Sequence, residues 1–164
     1  MSNLKLEVTN YTDTLKNPKK RTEVICNCLN TSRFKISSGT LSVAFVDDKC
    51  IRDLHRNFFN DPSSTDVITF LGEPNFNFSG EIIISVDQAI KQSAEFSTTI
   101  SDELTLYLAH GWLHLSGFND KTTEQKKAMR ISESEACLLI NKIPRIKDFQ
   151  IKTNPLQRQD TQVD

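Results

Sequence analysis

The chain has no surplus of basic charge: 20 lysines and arginines face 21 aspartates and glutamates, for a formal net charge of −1. A general polyanion binder working through a basic surface field is thereby excluded, and any nucleic-acid contact has to come from a local patch. Cysteine is sparse and badly spaced for chemistry. Cys26, Cys28, Cys50 and Cys137 match no zinc knuckle, and Cys26-Asn27-Cys28 is one residue short of a redox Cys-x-x-Cys pair. They are expected to be reduced, largely buried thiols. No apolar run approaches the length that crosses a bilayer, and the opening MSNLKLEV lacks a basic segment followed by an apolar one. The setting these absences imply is reducing, cytoplasmic and away from membranes. No internal repeat is visible either.

What is present is enough for one domain. The 164 residues, 37% of them hydrophobic, can bury a core without disulfide or metal staples. Strand patterns run over Leu4–Thr9, Leu41–Val46 (LSVAFV), Thr65–Phe70 (TDVITF) and Glu81–Val86 (EIIISV). The last is a continuous apolar, isoleucine-rich run, as expected of a strand covered on both faces. Between the last two lies GEPNFNFSG, a turn-rich connection suited to a hairpin.

Helix signals alternate with these strands. Asn17 is a candidate N-cap before Pro18, with Val24, Ile25, Cys28 and Leu29 as an apolar stripe. Asp47 or Asp48 can cap a helix that puts Ile51, Leu54, His55 and Phe58 on one face. Asp87 can cap a short helix through Phe96, and Ser101 with Asp102 and Glu103 opens another. A last helix starts at Thr122, with Gln125 completing a capping box, and runs to about Lys142. The expected fold is α+β: one mixed four-stranded sheet packed by about five helices. Residues 1–143 form the domain in this reading, and residues 144–164 a polar tail without fixed structure.

The chemistry concentrates in HGWLHLSGFND, His110 to Asp120. Residues four apart share a helix face, so His110 and His114 can offer two imidazoles to one ion. Gly117 can end the helix in a left-handed conformation and turn the chain back, bringing Asp120 in as a third ligand. Zinc accepts imidazole and carboxylate alike, and three protein ligands leave a position open. The spacing equals that of the long zinc-peptidase signature H-E-x-x-H-x-x-G-x-x-H, with Gly111 in place of the glutamate and Asp120 in place of the third histidine. Gly111 has no proton-transfer group, which disfavours peptide hydrolysis. His55, the third histidine, has no partner at ligand spacing and reads as structural. Glu133 lies on the stripe running from Met129 through Ala136 to Ile140, where a carboxylate is out of place unless paired. A ring N–H of the metal site or an arginine would suit it.

HGWLHLSGFND resembles the signature HGxLHLxGYDH of the bacterial YbeY family. LSVAFVDDKCIRDLHRNFFN is similar to that family's strand and helix, STDVITF to its PTDVLSF, and GEIIISVDQA to its GDIVISVDTA. Met129 and Glu133 fall where the family has a similar M…E pattern. The resemblance covers about Leu41 to Ile140. Three positions depart from it: Asp120 matches the third metal histidine, Asn119 the aspartate before it, and Phe59 an arginine that many members carry ahead of PTDVLSF.

The resemblance implies a sheet-and-helix fold around a metal cleft and one divalent ion per chain, expected to be zinc, on His110, His114 and Asp120. It implies a single-strand-type, metal-dependent endoribonuclease that uses a metal-activated water to mature ribosomal RNA and works with the small ribosomal subunit, with RNA rather than DNA as substrate. His114 is the residue expected to matter most for catalysis. Arg52, Arg56 and Lys121, followed by Lys126, Lys127 and Arg130, are candidate phosphate contacts because they stand beside the motifs. The alternative is a non-catalytic ribosome-assembly factor whose metal is structural or absent. Oligomeric state is not legible.

Overall fold

The structure, a computed structural model, describes residues 3–145 and 148–152. Its elements in chain order are β1 (Leu4–Asn10), β2 (Leu15–Lys16), α1 (Lys19–Leu29), β3 (Gly39–Val46), α2 (Asp48–Phe59), β4 (Val67–Glu73), β5 (Phe78–Ser85), α3 (Val86–Phe96), α4 (Ile100–Leu115), α5 (Thr123–Ile140) and β6 (Gln150–Ile151). The main sheet has the order β1-β3-β5-β4. β1, β3 and β5 run parallel, and β4 returns antiparallel on the outside of β5 through a hairpin whose connection includes a 3-10 turn, Pro74–Phe76. The four-stranded mixed sheet with five helices is the α+β fold expected from the sequence.

Strand alternation builds two cores on one sheet. Leu41, Val43, Phe45, Ile82 and Ile84 point to the face covered by α1, α3, α4 and α5, where they join Ile25, Leu29, Ala89, Leu108, Trp112 and Ile140. Ala44, Val46, Ile68 and Ile83 point the other way and meet Ile51 of α2. Three successive isoleucines of β5 are therefore buried, alternately in the two cores. α4 is pinned on its own side by the Trp112 indole, whose Nε1 donates to the Phe34 carbonyl at 2.9 Å.

Several helix starts differ from the expectation. β5 runs straight into α3, so the strand's last residue, Ser85, is the cap and accepts from the Gln88 amide; Asp87 instead accepts from the Asp48 amide at 2.7 Å. Thr99, not Ser101, caps α4, and the Ser101 hydroxyl accepts from the Phe149 amide. α1 starts at Pro18 without a side-chain cap, Asn17 being left-handed with φ 40°. Asp47 is the aspartate that caps α2, and Thr122 with Gln125 forms the full capping box on α5.

The ordered chain also goes beyond the boundary placed at residue 143. Phe149 is buried and packs edge-on to Phe45 at 5.6 Å, Asp148 pairs with the buried Arg21, and β6 pairs antiparallel with β2. Three scattered apolar residues, Ile146, Phe149 and Ile151, in a polar stretch were too weak a signal to reveal this docking. The rest of the expected tail, 153–164, lies outside the described residues. All four cysteines are free, but Cys26 alone is fully buried; Cys28, Cys50 and Cys137 are half-buried. No helix among the described residues is long and apolar enough to cross a membrane.

Candidate metal centre

The site is built at the C-terminal end of α4. Gly111 allows the helix to lie close on the sheet: a Cβ there would stand 2.6 Å from Ile82 Cγ2 and 3.3 Å from Thr69 Oγ1. Position 111 is thus doubly unsuited to a peptidase's glutamate, lacking the group and the room for it. The helix then ends in a Schellman turn. The Phe118 amide bonds the Leu113 carbonyl and the Gly117 amide bonds the His114 carbonyl, with Gly117 at φ 99°.

That turn does two things for the site. It brings the Phe118 carbonyl within 3.0 Å of His114 Nδ1, and it sends the chain back so that Asp120 Oδ2 lies 3.5 Å from both His110 Nε2 and His114 Nε2. The two Nε2 atoms are 2.9 Å apart. On the far side, Glu133 of α5 reaches His110, its Oε1 lying 2.5 Å from Nδ1. The capping box at Thr122 and buried Met129, Ala136 and Ile140 set the rotation of α5 that aims Glu133 inward.

The partners decide the tautomers. A backbone carbonyl and an ionised carboxylate only accept, so Nδ1 carries the hydrogen in both neutral rings and the two Nε2 lone pairs face each other beside a carboxylate oxygen. Three electron-rich atoms converging within 4.8 Å are stable only around a proton or a cation. Burial, the largest single influence, opposes protonation of His110, but the bond and charge of Glu133, with Asp66 and Asp120, outweigh it and raise the pKa above the ordinary value. His114 moves down, first through burial and then through the neighbouring His110. One site with one raised and one lowered imidazole is a poor home for two protons and a good one for a divalent ion. For zinc, ligand atoms about 2.0–2.1 Å from the metal at tetrahedral angles would be ~3.3 Å apart. The observed 2.9 and 3.5 Å separations bracket that value.

The side chains of His110, His114 and Asp120 open into a cleft of about 520 Å3 along the free edge of β4, lined also by His55, Phe59, Thr65, Asp66, Val67, Thr69, Asn119 and Lys121. Of the phosphate contacts expected from the sequence, Lys121 lines this cleft. Arg52 and Arg56 do not; they are held along α2 by Asp48 at 2.6 Å and Asp53 at 3.6 Å. Lys126, Lys127 and Arg130 are exposed on α5 and are not part of its wall. His55 makes the structural bond expected of it, Nδ1 to the Ser63 carbonyl at 2.9 Å, yet its ring also forms cleft wall. Sequence reasoning gave Asp66 and Thr69 no individual role. Their signal was the strand itself, since TDVITF is the edge strand facing the histidine helix.

The fold and site together define an α+β domain with a candidate metal site, a His-x-x-x-His helix and a returning carboxylate over an edge strand. Comparison with known proteins makes the assignment narrower. The family profile described as "Endoribonuclease YbeY" matches residues 6–141. A protein of that name from Cytophaga hutchinsonii is 38% identical over 131 residues, covering 77% of this chain and 90% of its own. One from Chlamydia felis is 34% identical over 134 residues, covering 76% and 83%. The solution structure of a Thermotoga maritima protein superposes with a TM-score of 0.57 over 92% of this chain and 97% of its own, at 24% identity, and so shares the fold. The chain belongs to the YbeY endoribonuclease family.

Proposed function

We propose that this protein is a metal-dependent endoribonuclease whose single divalent ion, zinc by the nature of its donors, is held by His110, His114 and Asp120. The observation that carries the reading is the pair of locked imidazoles. Glu133 and the Phe118 carbonyl each occupy an Nδ1, leaving two Nε2 atoms and the Asp120 carboxylate free to converge at the floor of an open cleft. A bound zinc supplies a Lewis acid that polarises a phosphoryl oxygen and makes water a better nucleophile.

The chain's own residues supply the remainder. Glu133 fixes the orientation of His110 and makes it the more electron-rich ligand. Lys121, on the cleft wall, offers positive charge to a phosphate, and Asp66, whose Oδ1 also accepts from the Val67 amide at 2.8 Å, places a carboxylate where a proton can be taken up. Ribosomal RNA of the small subunit is the proposed substrate, supported by the four motif blocks described above. The cytoplasm is the proposed setting, in keeping with four unpaired thiols.

The test is cleavage of a structured ribosomal RNA fragment together with elemental analysis, wild type against His114→Ala. Stoichiometric zinc with cleavage in the wild type, and loss of both in the variant, is the expected result. Equal cleavage by both preparations would point to a contaminating nuclease and remove the catalytic reading.

A further inference from the structure

The cleft is short of the charge that usually holds nucleic acid. Its described lining contains two carboxylates, Asp66 and Asp120, and a single fixed cation, Lys121, in a chain of net charge −1. With arginines 52 and 56 paired elsewhere, counterion release can supply only a small part of any affinity for RNA. Lys121 and a bound ion offer the backbone few phosphate contacts, which leaves a share of the hold on the strand to uncharged groups.

Phe59 is placed to take that share. It lines the same cleft as the two histidines and Asp120, yet it is 51% exposed. An aromatic ring left open at a site mouth is free to cover something. Its position is fixed from behind. Phe70 stacks against it with ring centres 6.1 Å apart and planes 24° from parallel, and His55 stands beside it at 5.7 Å. His55 is itself held by the Ser63 carbonyl. Phe59 is the last residue of α2, which is closed by the left-handed Asn60 with its amide on the Arg56 carbonyl. The ring is therefore preorganised and needs little ordering to receive a flat partner. Aromatic platforms of this kind take up unpaired bases, whose faces are accessible, and reject paired ones, whose faces are covered by their neighbours in the helix.

We propose that Phe59 stacks an unpaired nucleobase of the RNA whose backbone enters the metal cleft, and is the residue that grips the strand by its base rather than by its phosphates. The proposal rests on the reading of the cleft as an RNA-cleaving site and deepens it. Affinity then depends on stacking more than on charge.

The experiment measures binding of the zinc-loaded protein to a fluorescently labelled, unstructured oligoribonucleotide by anisotropy, read before cleavage products appear, over a series of salt concentrations. Phe59→Ala is expected to weaken binding about 5- to 100-fold. The slope of log affinity on log salt should stay unchanged, Phe59→Trp should keep the affinity, and a fully paired duplex should bind poorly to all three. Lys121→Ala should instead make the slope shallower by about one phosphate contact. In oligonucleotides carrying one abasic position, a single position should cost the wild type affinity and cost Phe59→Ala nothing. If Phe59→Ala, with an unchanged melting temperature, binds as the wild type does, stacking is overturned while the RNA reading stands. The same holds if Phe59→Leu binds as tightly as wild type, or if duplex and single strand lose affinity equally. A wild-type protein that neither binds nor cleaves single-stranded RNA would remove the reading of the cleft and this proposal with it.

Discussion

Glu133 Oε1 lies 2.5 Å from His110 Nδ1, joining the middle of α5 to the histidine-bearing face of α4 across 23 residues of sequence. The carboxylate is only partly exposed, at 22% of its side-chain surface, so the bond is sheltered from competing water. Replacing it by glutamine keeps the shape but removes the charge, and the amide can present an N–H to Nδ1 where an acceptor is needed. Glu133→Gln is expected to weaken metal binding about 10- to 100-fold, the usual scale for a carboxylate behind a ligating histidine. Competition with a chromophoric chelator measures this directly, and unchanged affinity would show that the contact does not orient the ligand.

Gly111 makes a prediction about packing and another about chemistry. With Ile82 Cγ2 only 2.6 Å from a would-be Cβ, and Ile82 a fully buried, stiff β-branched side chain, Gly111→Ala forces α4 away from the sheet. A loss of about 1–3 kcal/mol in denaturant unfolding is expected, the range for overpacked interiors. Gly111→Glu restores the peptidase sequence pattern but should be worse folded, and casein should remain undigested by it. A stable, proteolytic Gly111→Glu protein would overturn both points.

The sequence made the centre of the molecule legible and its edges less so. The isoleucine run of β5, the capping box at Thr122 and the His110–Asp120 spacing each depend on local rules of period and turn chemistry, and all of them recur in the structure. The inward turn of Glu133 could be read because a charge on an apolar helix stripe needs a partner. The caps of α3 and α4 were each misplaced by two residues because several hydroxyl and carboxylate residues stand near each start, and tertiary contacts decide between them. Asp87 is used by α2, and Ser101 by the segment at Phe149. That segment and the pairing of β6 with β2 depend on contacts between residues far apart in the chain, from Phe149 with Ser101 to Ile151 with Leu15, which no local pattern encodes. Arg52 and Arg56 were proposed as phosphate contacts from nearness in sequence; the helix geometry pairs them with acids one turn away.

Asp48 predicts a pH dependence of stability. Its carboxylate accepts from the Ser64 hydroxyl, from Gln88 Nε2 at 3.2 Å and from Arg52 Nε at 2.6 Å. The Ser64 bond is the largest influence and lowers its pKa below the ordinary value; burial works against this, and Gln88 and Arg52 reinforce it. A carboxyl whose folded pKa is depressed stabilises the fold above its unfolded pKa of about 3.9 and loses that contribution as pH falls through the folded value. Asp48→Asn should therefore be less stable than wild type near pH 7, with the gap closing as the medium is acidified below about pH 4. Chemical denaturation at a series of pH values checks it; a gap that is constant down to pH 2 would mean the carboxylate charge contributes nothing.

Metal removal separates a ligand set from a chance cluster. The described structure has a hydrophobic core on each face of its sheet, and neither includes His110, His114 or Asp120, so the chain should remain folded after chelation. What chelation removes is the linkage term: at free zinc about 1,000 times the dissociation constant, binding adds ~4 kcal/mol of stability. A fall in melting temperature on chelation, restored by zinc, is expected of the wild type and not of His114→Ala. Asp120 gives the finer test. Its carboxylate oxygen sits 3.5 Å from both Nε2 atoms. Histidine at this place would bring a nitrogen donor that suits zinc at least as well, from a loop already turned by Gly117. Asp120→His should thus hold zinc as tightly as wild type or tighter, while Asp120→Ala should lose affinity and the zinc-dependent rise in melting temperature. If Asp120→Ala keeps wild-type affinity, the third ligand is not Asp120 and the site is a two-histidine pair completed by something else.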